Sequence, residues 1–499
     1  MTPPLAAGGH VPQSTKLLYG LGSVAYGAKG QLLGLLLLFY NQLMGMPAAL
    51  VSLALAISLT IDAIWDPLVG QVSDNLRTPW GRRHPLMYAS ALPLAISWLL
   101  LWHPPAGWSH EALFVYLLVM VVAARMFISL YEVPSSALAP ELAPDYHART
   151  TLLSYRYLFG TLGAAVASMM GFMVFLKDSP EHPTGQLNQA GYFPYAAVVA
   201  AMMVASILVS AAGTHSRIKA LHKPPERKAS FKTLAAEVSS TLSNRNFLVI
   251  LLAGVFAGMA NGLGGGLNIY FATYYWGLTS KALFLLVLVG LVGSFLSAAI
   301  APVASRRWGK KNACIGLFIG GLTATVLPII LRLVGLMPEN GTTALLVILA
   351  AERLVSATLG IGGYIIVASM VADIVEETQA RTGRRSEGLL MSADSLLNKV
   401  VGGIATILPG IILAMIAFPD KAKPGLVDAE ILRNLALAYI PAATILNMIA
   451  IACLRLYRID AGAHERNLST IQEAAALAET TAEADLAGSP TSATPGTPG

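Results

Sequence analysis

Residues 62–85 read DAIWDPLVGQVSDNLRTPWGRRHP. The stretch continues a largely apolar run that starts at residue 48, and it closes on a basic turn carrying Arg77, Arg82 and Arg83. An apolar run of about 20 residues is what a helix needs to cross a bilayer, so residues 48–73 read as a membrane helix whose end the arginines mark. Two carboxylates, Asp62 and Asp66, fall inside that helix. Four residues apart, they face the same way.

The same alternation of long apolar runs and short polar turns extends along the chain. Helices are expected at 17–44, 48–73, 86–103, 112–139, 150–176 and 191–213, then at 247–275, 282–305, 312–335, 343–373, 388–418 and 429–455. The 499 residues are 55% hydrophobic and only 12% charged, about half the charged share of a soluble domain. A soluble fold is excluded, because so little polar residue cannot clothe so large a core. The runs are continuous and do not alternate, which excludes a barrel and leaves helices as the form that satisfies every backbone group in hydrocarbon. The expected fold class is an all-α membrane protein with twelve transmembrane helices in two six-helix halves. The expected organisation is an N-terminal segment 1–16, a first bundle 17–213, a basic central loop 214–246, a second bundle 247–455 and a largely disordered tail 456–499. Residues 1–10 lack the basic region of a cleaved signal, so the run from Leu17 reads as a retained first helix.

Basic residues favour the cytoplasmic side. Arg77, Arg82, Arg83, Arg149, the cluster Arg217–Lys232, Arg306, Arg307, Lys310, Lys311, Arg381, Arg384 and Arg385 all fall on one side of this layout, with Arg455 and Arg458. The other side holds chiefly Lys177, Lys281, Lys421 and Lys423. Both termini are therefore expected in the cytoplasm, and the net charge of +6 follows from topology rather than from nucleic-acid binding. Residues 304–313, ASRRWGKKNA, echo the turn at 79–85: a Trp-Gly pair followed by two basic residues after the second helix of each half. Internal repeats of this kind build many secondary transporters, with the site near midplane between the repeats. No Walker A pattern is present, so an ion gradient or the substrate's own gradient supplies the energy. Neither an enzyme nor a cofactor is expected. Cys314 and Cys453 read as packing residues.

A charge at the bilayer centre costs about 2.5–3.5 kcal/mol on insertion scales, so each one calls for a reason. The set comprises Lys29, Asp62, Asp66, Arg125, Glu132, Arg156, the pair Glu352–Arg353, Asp394 and Lys399. Two ionised carboxylates as close as Asp62 and Asp66 repel, unless one is protonated or a cation lies between them. Pro67 offers no N–H to the Ala63 carbonyl, which leaves an oxygen beside them. The alternative is that the aspartates answer basic residues of neighbouring helices and hold the bundle together. Glu132, followed by a local break at Pro134, is expected to meet Arg156. Asp74, Arg77, Arg82 and Arg83 read as a gating cluster at the membrane edge. In NGLGGGLNIYFATYYW (261–276), Asn261, Asn268, Tyr270 and Tyr274 have the chemistry to bind a polyol, with helix packing as the alternative.

The stretch 62–85 resembles the helix 2 signature of the glycoside–pentoside–hexuronide:cation symporters, a melibiose-permease-like family of the major facilitator superfamily. YGLGSVAYG (19–27), YEVPSSALAPEL (131–142), LLSYRYLFGTLG (152–163) and GRRSEGLL (383–390) agree in order and spacing, and the likeness runs from about residue 16 to 455. The resemblance implies cation-coupled symport, with Na⁺ or H⁺ at Asp62 and Asp66 and with Ser129 and Glu132 in the cation site. It implies substrate contacts at Glu132, Arg156, Asp394, Ser395 and Lys399, to which the residues themselves add Lys29, Asn268 and Tyr270. Where melibiose-type permeases carry an acidic sugar-binding residue in helix 1, this chain has Gly27. A stacking tryptophan gives way to Ser136, and an amide between the aspartates to Trp65. The first two changes argue against a galactoside, and the third opens the choice between sodium and protons. The expected partners are a small sugar or glycoside, the coupling cation and the lipid of a bacterial-type inner membrane. The protein is expected to act as a monomer. A cation-coupled symporter of an amphiphile or organic anion, similar to lysophospholipid symporters, is the alternative, and a non-transporting sensor a more distant one.

An alkaline phosphatase fused after Lys228 is expected to be inactive, because the enzyme matures only outside the cytoplasm. Strong phosphatase activity there would overturn the topology.

Overall fold

A computed structural model describes residues 11–143, 146–218, 245–382 and 387–459, together with 462, 469 and 473. Among them the chain forms twelve long helices, named here in order. The first half holds α1 (Gln13–Leu43), α2 (Ala48–Asn75), α3 (His84–Leu101), α4 (His110–Leu142), α5 (Tyr146–Met170) and α6 (Gln189–His215). The second holds α7 (Arg245–Tyr270), α8 (Ser280–Trp308), α9 (Lys310–Leu333), α10 (Thr343–Thr382), α11 (Glu387–Met415) and α12 (Ala429–Arg455). Eleven are long and apolar enough to cross a bilayer, and α11 contributes a shorter apolar stretch, Val401–Met415. Large apolar side chains such as Leu92, Ile96, Val115, Phe295, Val303 and Ile445 stand exposed on the outer surface. A soluble protein rarely carries so extensive an apolar face, whereas lipid covers it at no cost.

Most helix bounds match the expected ones to within a few residues. α10 runs on to Thr382, nine residues past its expected end at 373. α4 continues through Pro134 and Pro140, so the break expected at Pro134 does not occur: neighbouring helices support the turn whose hydrogen bond proline removes. α2 likewise runs through Pro67. α1 is interrupted at Gly22 and again near Gly34. Cys314 is buried, and both cysteines are free.

The packing repeats between the halves. α1 lies on α5 and α6, α2 on α4, and α3 on α4 and α6. Adding six to each number gives the second half: α7 on α11 and α12, α8 on α10, and α9 on α10 and α12. The contacts that join the halves obey the same rule, α2 with α11 and α5 with α8.

Lipid tails are as apolar as leucine, so helices associate where small residues let backbones approach. Gly27 of α1 and Gly163 of α5 form one such seam. A methyl at Gly27 would collide with the Gly160 carbonyl oxygen, and one at Gly163 would lie 2.8 Å from Val24 Cα. Gly262 and Gly266 make the matching seam of the second half, against Ala405 and Pro409 of α11. Gly410 of α11 is pressed against Ser52 of α2 and so draws the halves together. The acidic residue that melibiose-type permeases place in helix 1 therefore has no room at position 27 of this chain.

The first described residue, Val11, packs with Leu142 at the end of α4, and Tyr457, just past α12, accepts a hydrogen bond from Lys311 (3.1 Å); these segments share one face with the short basic turns, called the basic face below. Hydrogen bonds between the halves gather at the opposite face. Tyr270 donates to Asn41 Oδ1 (2.7 Å) and Tyr274 to Gln42 Oε1 (3.1 Å). Asn41 donates to Asp420 (2.6 Å), and Gln186 bonds Thr273 (3.1 Å) and Ser280 (3.0 Å). The bundle is thus described with its opposite face closed.

Gly27→Ala is expected to cost about 1–3 kcal/mol through overpacking. Gly30→Ala, where an added methyl meets no atom within 4 Å, should leave stability unchanged. Thermal unfolding of the two variants in detergent checks this, and equal melting would remove the seam as a determinant.

Candidate functional site

Four helices, α1, α2, α4 and α5, bring the first-half charges together. On α4, Arg125, Ser129 and Glu132 follow at helical spacing and share one face. Trp65 of α2 donates its indole N–H to the Met126 carbonyl (3.1 Å) and sets the register of α2 against that face. Asp62 thereby accepts a hydrogen bond from Ser129 Oγ (3.1 Å) and lies 3.9 Å from Arg125 Nη1, at the outer limit of an ion pair. Asp62 is buried, and Asp66, one turn on, has its Oδ1 shielded from solvent. Trp65, which stands between the aspartates where the related symporters have an amide, thus works as a helix-to-helix clamp.

Glu132 and Arg156, expected to meet, form no direct ion pair. Glu132 pairs with Lys29 of α1 at 3.6 Å, and no nitrogen of Arg156 comes within 4 Å of it. Arg156 instead donates to the Tyr19 hydroxyl (2.9 Å) and to Ser135 Oγ (3.5 Å), with its guanidinium 5.5 Å from the centre of the Tyr19 ring. Tyr19 in turn donates to the Ser135 carbonyl (2.8 Å). The reason lies in depth: Ser135 is three residues past Glu132, about 4.5 Å further along the helix axis. The glycine seam between α1 and α5 brings Lys29 to the level of Glu132 and Tyr19 to the level of Arg156. Lys29 also lies 5.0 Å from the Tyr26 ring centre.

At the basic face, Arg83 bonds Asp74 (2.7 Å), Glu141 (2.9 Å) and Ser73 (3.0 Å), while Arg82 reaches Glu141 at 2.7 Å. Arg77 sits in the same loop. The proposed gating residues Asp74, Arg82 and Arg83 are therefore joined by one the sequence reading missed, Glu141 at the end of α4. The second half repeats the arrangement: Lys310 holds Asp373 of α10 at 2.6 and 2.8 Å. Gly81 and Gly309, the glycines of the echoed Trp-Gly pairs, both have positive φ, +76° and +72°. This left-handed conformation turns the chain into the next helix at little cost only for glycine. The signal for Glu141 and Asp373 was present in the repeat, as an acid near the basic end of the fourth helix of each half. Close to Asp373, the Tyr457 phenol lies just past α12, where burial chiefly, aided by Asp373 and Glu377, pushes its pKa up.

A cavity of about 630 Å³ opens between the halves, within the range of small-molecule sites. Gln31 of α1 lines it, with Asn261 and Asn268 of α7, Glu352 and Arg353 of α10, and Tyr439 of α12. Of the proposed substrate residues, Asn268 is in its wall. Lys29 adjoins the lining residues Gly30 and Gln31, whereas Glu132 and Arg156 are outside the lining. Tyr270 is not in the wall either, because its hydroxyl is engaged by Asn41 in the closed face. Asp394, Ser395 and Lys399 belong to α11, and their side chains lie outside the described residues. Glu352 and Arg353, noted in the sequence only as intramembrane charges, gain a place in the wall.

The sequence model of the family described as MFS/sugar transport protein matches residues 18–461. The chain is similar to the isoprimeverose transporter of Lactiplantibacillus pentosus, at 26% identity over 81% of this chain and 80% of that one. It is also similar to the glucuronide carrier protein homolog of Escherichia coli, at 25% identity over 80% and 82%. The putative glycoside/cation symporter YagG of Escherichia coli shares 23% identity over 95% and 98%. Among solved structures, a mutant of the nucleoside transporter NupG superposes with a TM-score of 0.61 at 16% identity, over 89% of this chain and 99% of that one. A bacterial homologue of the iron transporter ferroportin, in an outward-facing state, gives 0.54 at 14% identity, over 88% and 99%. The repeated six-helix halves, the paired Trp-Gly turns and the match along nearly the whole membrane part agree: the chain belongs to the MFS/sugar transport protein family and has the major facilitator superfamily fold.

Proposed function

We propose that this protein is a secondary transporter that couples Na⁺ or H⁺ to the uptake of a sugar or glycoside by alternating access. It would reside in a bacterial-type inner membrane with both termini in the cytoplasm. The observation that carries the reading is the polar group on α2 and α4: Asp62 held by Ser129, Asp66 one turn away, and the Ala63 carbonyl freed by Pro67. Four oxygen-bearing groups on two packed helices suit a hard cation, and either carboxylate suits a proton. The names of the relatives support a glycoside as cargo. So does the cavity wall, where the amides of Gln31, Asn261 and Asn268 and the Glu352 carboxyl stand among aromatic rings. A long acyl tail would have to lie against those polar groups and leave them unsatisfied, which disfavours the amphiphile.

Coupling follows from charge. With no cation bound, Asp62 and Asp66 repel, and Arg125 at 3.9 Å is a positive charge that an incoming cation must outcompete at Asp62. An arriving cation removes the repulsion and stiffens α2 against α4. α2 also packs on α11 across the interface between the halves, so a cation that steadies α2 steadies the state that holds substrate. The effect is reciprocal: substrate tightens cation binding by the factor by which cation tightens substrate binding.

Asp66→Asn keeps the shape of the side chain and removes one charge. In membrane vesicles it is expected to bring accumulation down to about the equilibrium ratio of 1, while exchange at equal concentrations continues, since only the coupling free energy is lost. Asp62→Asn should behave the same way, and Asp74→Asn should slow both modes by loosening Arg83. If Asp66→Asn still concentrates substrate as the parent does, the α2 pair is structural.

A further inference from the structure

Glu352 is a carboxyl group within the apolar span Thr343–Ile374 of α10. It lies 21 residues before Asp373 on the same helix, about 31 Å along the axis from the basic-face pair. Among the described residues, no lysine, arginine or histidine nitrogen comes within 4 Å of its carboxylate. Its neighbour Arg353 is turned toward α8, where Gly290 makes room: a methyl there would meet Arg353 Nε at 2.9 Å. Ser356, one turn on, and Thr325 of α9 are the hydroxyls beside Glu352. Asn268 of α7 and Tyr439 of α12 line the same cavity.

We propose that Glu352 is a substrate-binding residue, the second-half anchor that accepts hydrogen bonds from adjacent hydroxyls of a polyhydroxylated ring in the cavity between the halves. The assignment rests on the sugar-transport reading above and names a contact for it. A carboxylate has two oxygens able to take two neighbouring hydroxyls at once, and hydrogen bonds to a charged acceptor are the strong ones. The Asn268 amide offers both a donor and an acceptor to a third hydroxyl, and Tyr439 gives the less polar face of the ring a surface to lie on. The first half has no acid to offer at position 27, because the seam with α5 leaves no space there. Glu352 supplies a carboxylate from the other side of the cavity. Arg353 lies over Gly290, where α10 packs against α8.

The test is equilibrium exchange in proteoliposomes, which needs no coupling ion gradient, with lactose, raffinose, isoprimeverose and methyl glucuronide as probes. Glu352→Gln is expected to raise KM at least about tenfold for the sugars the parent exchanges, as loss of a charged hydrogen-bond partner implies, with the maximal rate held. Glu352→Asp, which keeps the charge but withdraws it by one methylene, should fall between Gln and the parent. It also serves as the deciding variant if the Gln protein fails to reach the membrane. If the parent exchanges a sugar and both variants match its KM, the sugar reading stands and the Glu352 assignment is overturned. If the parent exchanges none of the four, the sugar reading is overturned and the assignment falls with it.

Discussion

The charged contacts inside the first-half bundle depend on how closely its helices approach one another. In hydrocarbon the burial of apolar side chains gives helices no reason to associate, so contact has to come from backbone packing over small residues. Gly27 and Gly163 do this between α1 and α5, Gly262 and Gly266 between α7 and α11, and Gly410 between α11 and α2. Once these seams are closed, the depth and rotation of α1 are set, and with them the partners available to Lys29 and Tyr19. The charged network is a consequence of the seams, since a bulkier residue at position 27 would shift α1 away from α5 and part Lys29 from Glu132.

The first half carries three carboxylates and three cations within its membrane part, Asp62, Asp66 and Glu132 against Lys29, Arg125 and Arg156. A buried pair seldom gains much over an apolar one, yet breaking it by removing one partner is costly. Such a network tolerates exchange of one positive charge for another far better than loss of one. A cation-coupled transporter needs that property. The Arg125–Asp62 distance of 3.9 Å is loose, whereas the Asp74–Arg83 contact of 2.7 Å at the membrane edge is tight. The loose contact lies where an ion is proposed to enter, and the tight one where the helices are anchored.

The two halves solve one structural problem twice. A second helix must turn sharply into a third at the membrane edge, and the turn must be tied to the fourth. Glycine with positive φ makes the turn, a basic residue after it reaches an acid on the fourth helix, and the result is Arg83 with Glu141 in one half and Lys310 with Asp373 in the other. The chemistry is conserved in kind while the residues differ, as expected for a repeat whose geometry rather than sequence has been kept. The halves differ in their intramembrane charges, which among the described side chains cluster on α1, α2, α4 and α5 in the first and line the cavity from α10 in the second.

Read alone, the sequence determined the class of solvent, the number of helices and the face toward which the basic turns point. Hydrophobic runs and Lys/Arg bias act locally and leave direct marks on the chain. It also determined which charges were out of place, because a carboxylate within twenty apolar residues is visible without any structure. Tertiary structure alone decided which charges meet. Helical period tells which residues of one helix share a face, so Arg125, Ser129 and Glu132 were legible as a set. It says nothing of the depth at which a second helix crosses. Glu132 therefore takes Lys29 as its ion-pair partner, Tyr270 seals the closed face instead of lining the cavity, and Glu352 becomes part of the cavity wall. In each case the outcome was settled by where two backbones touch, a property of pairs of helices that no single helix encodes.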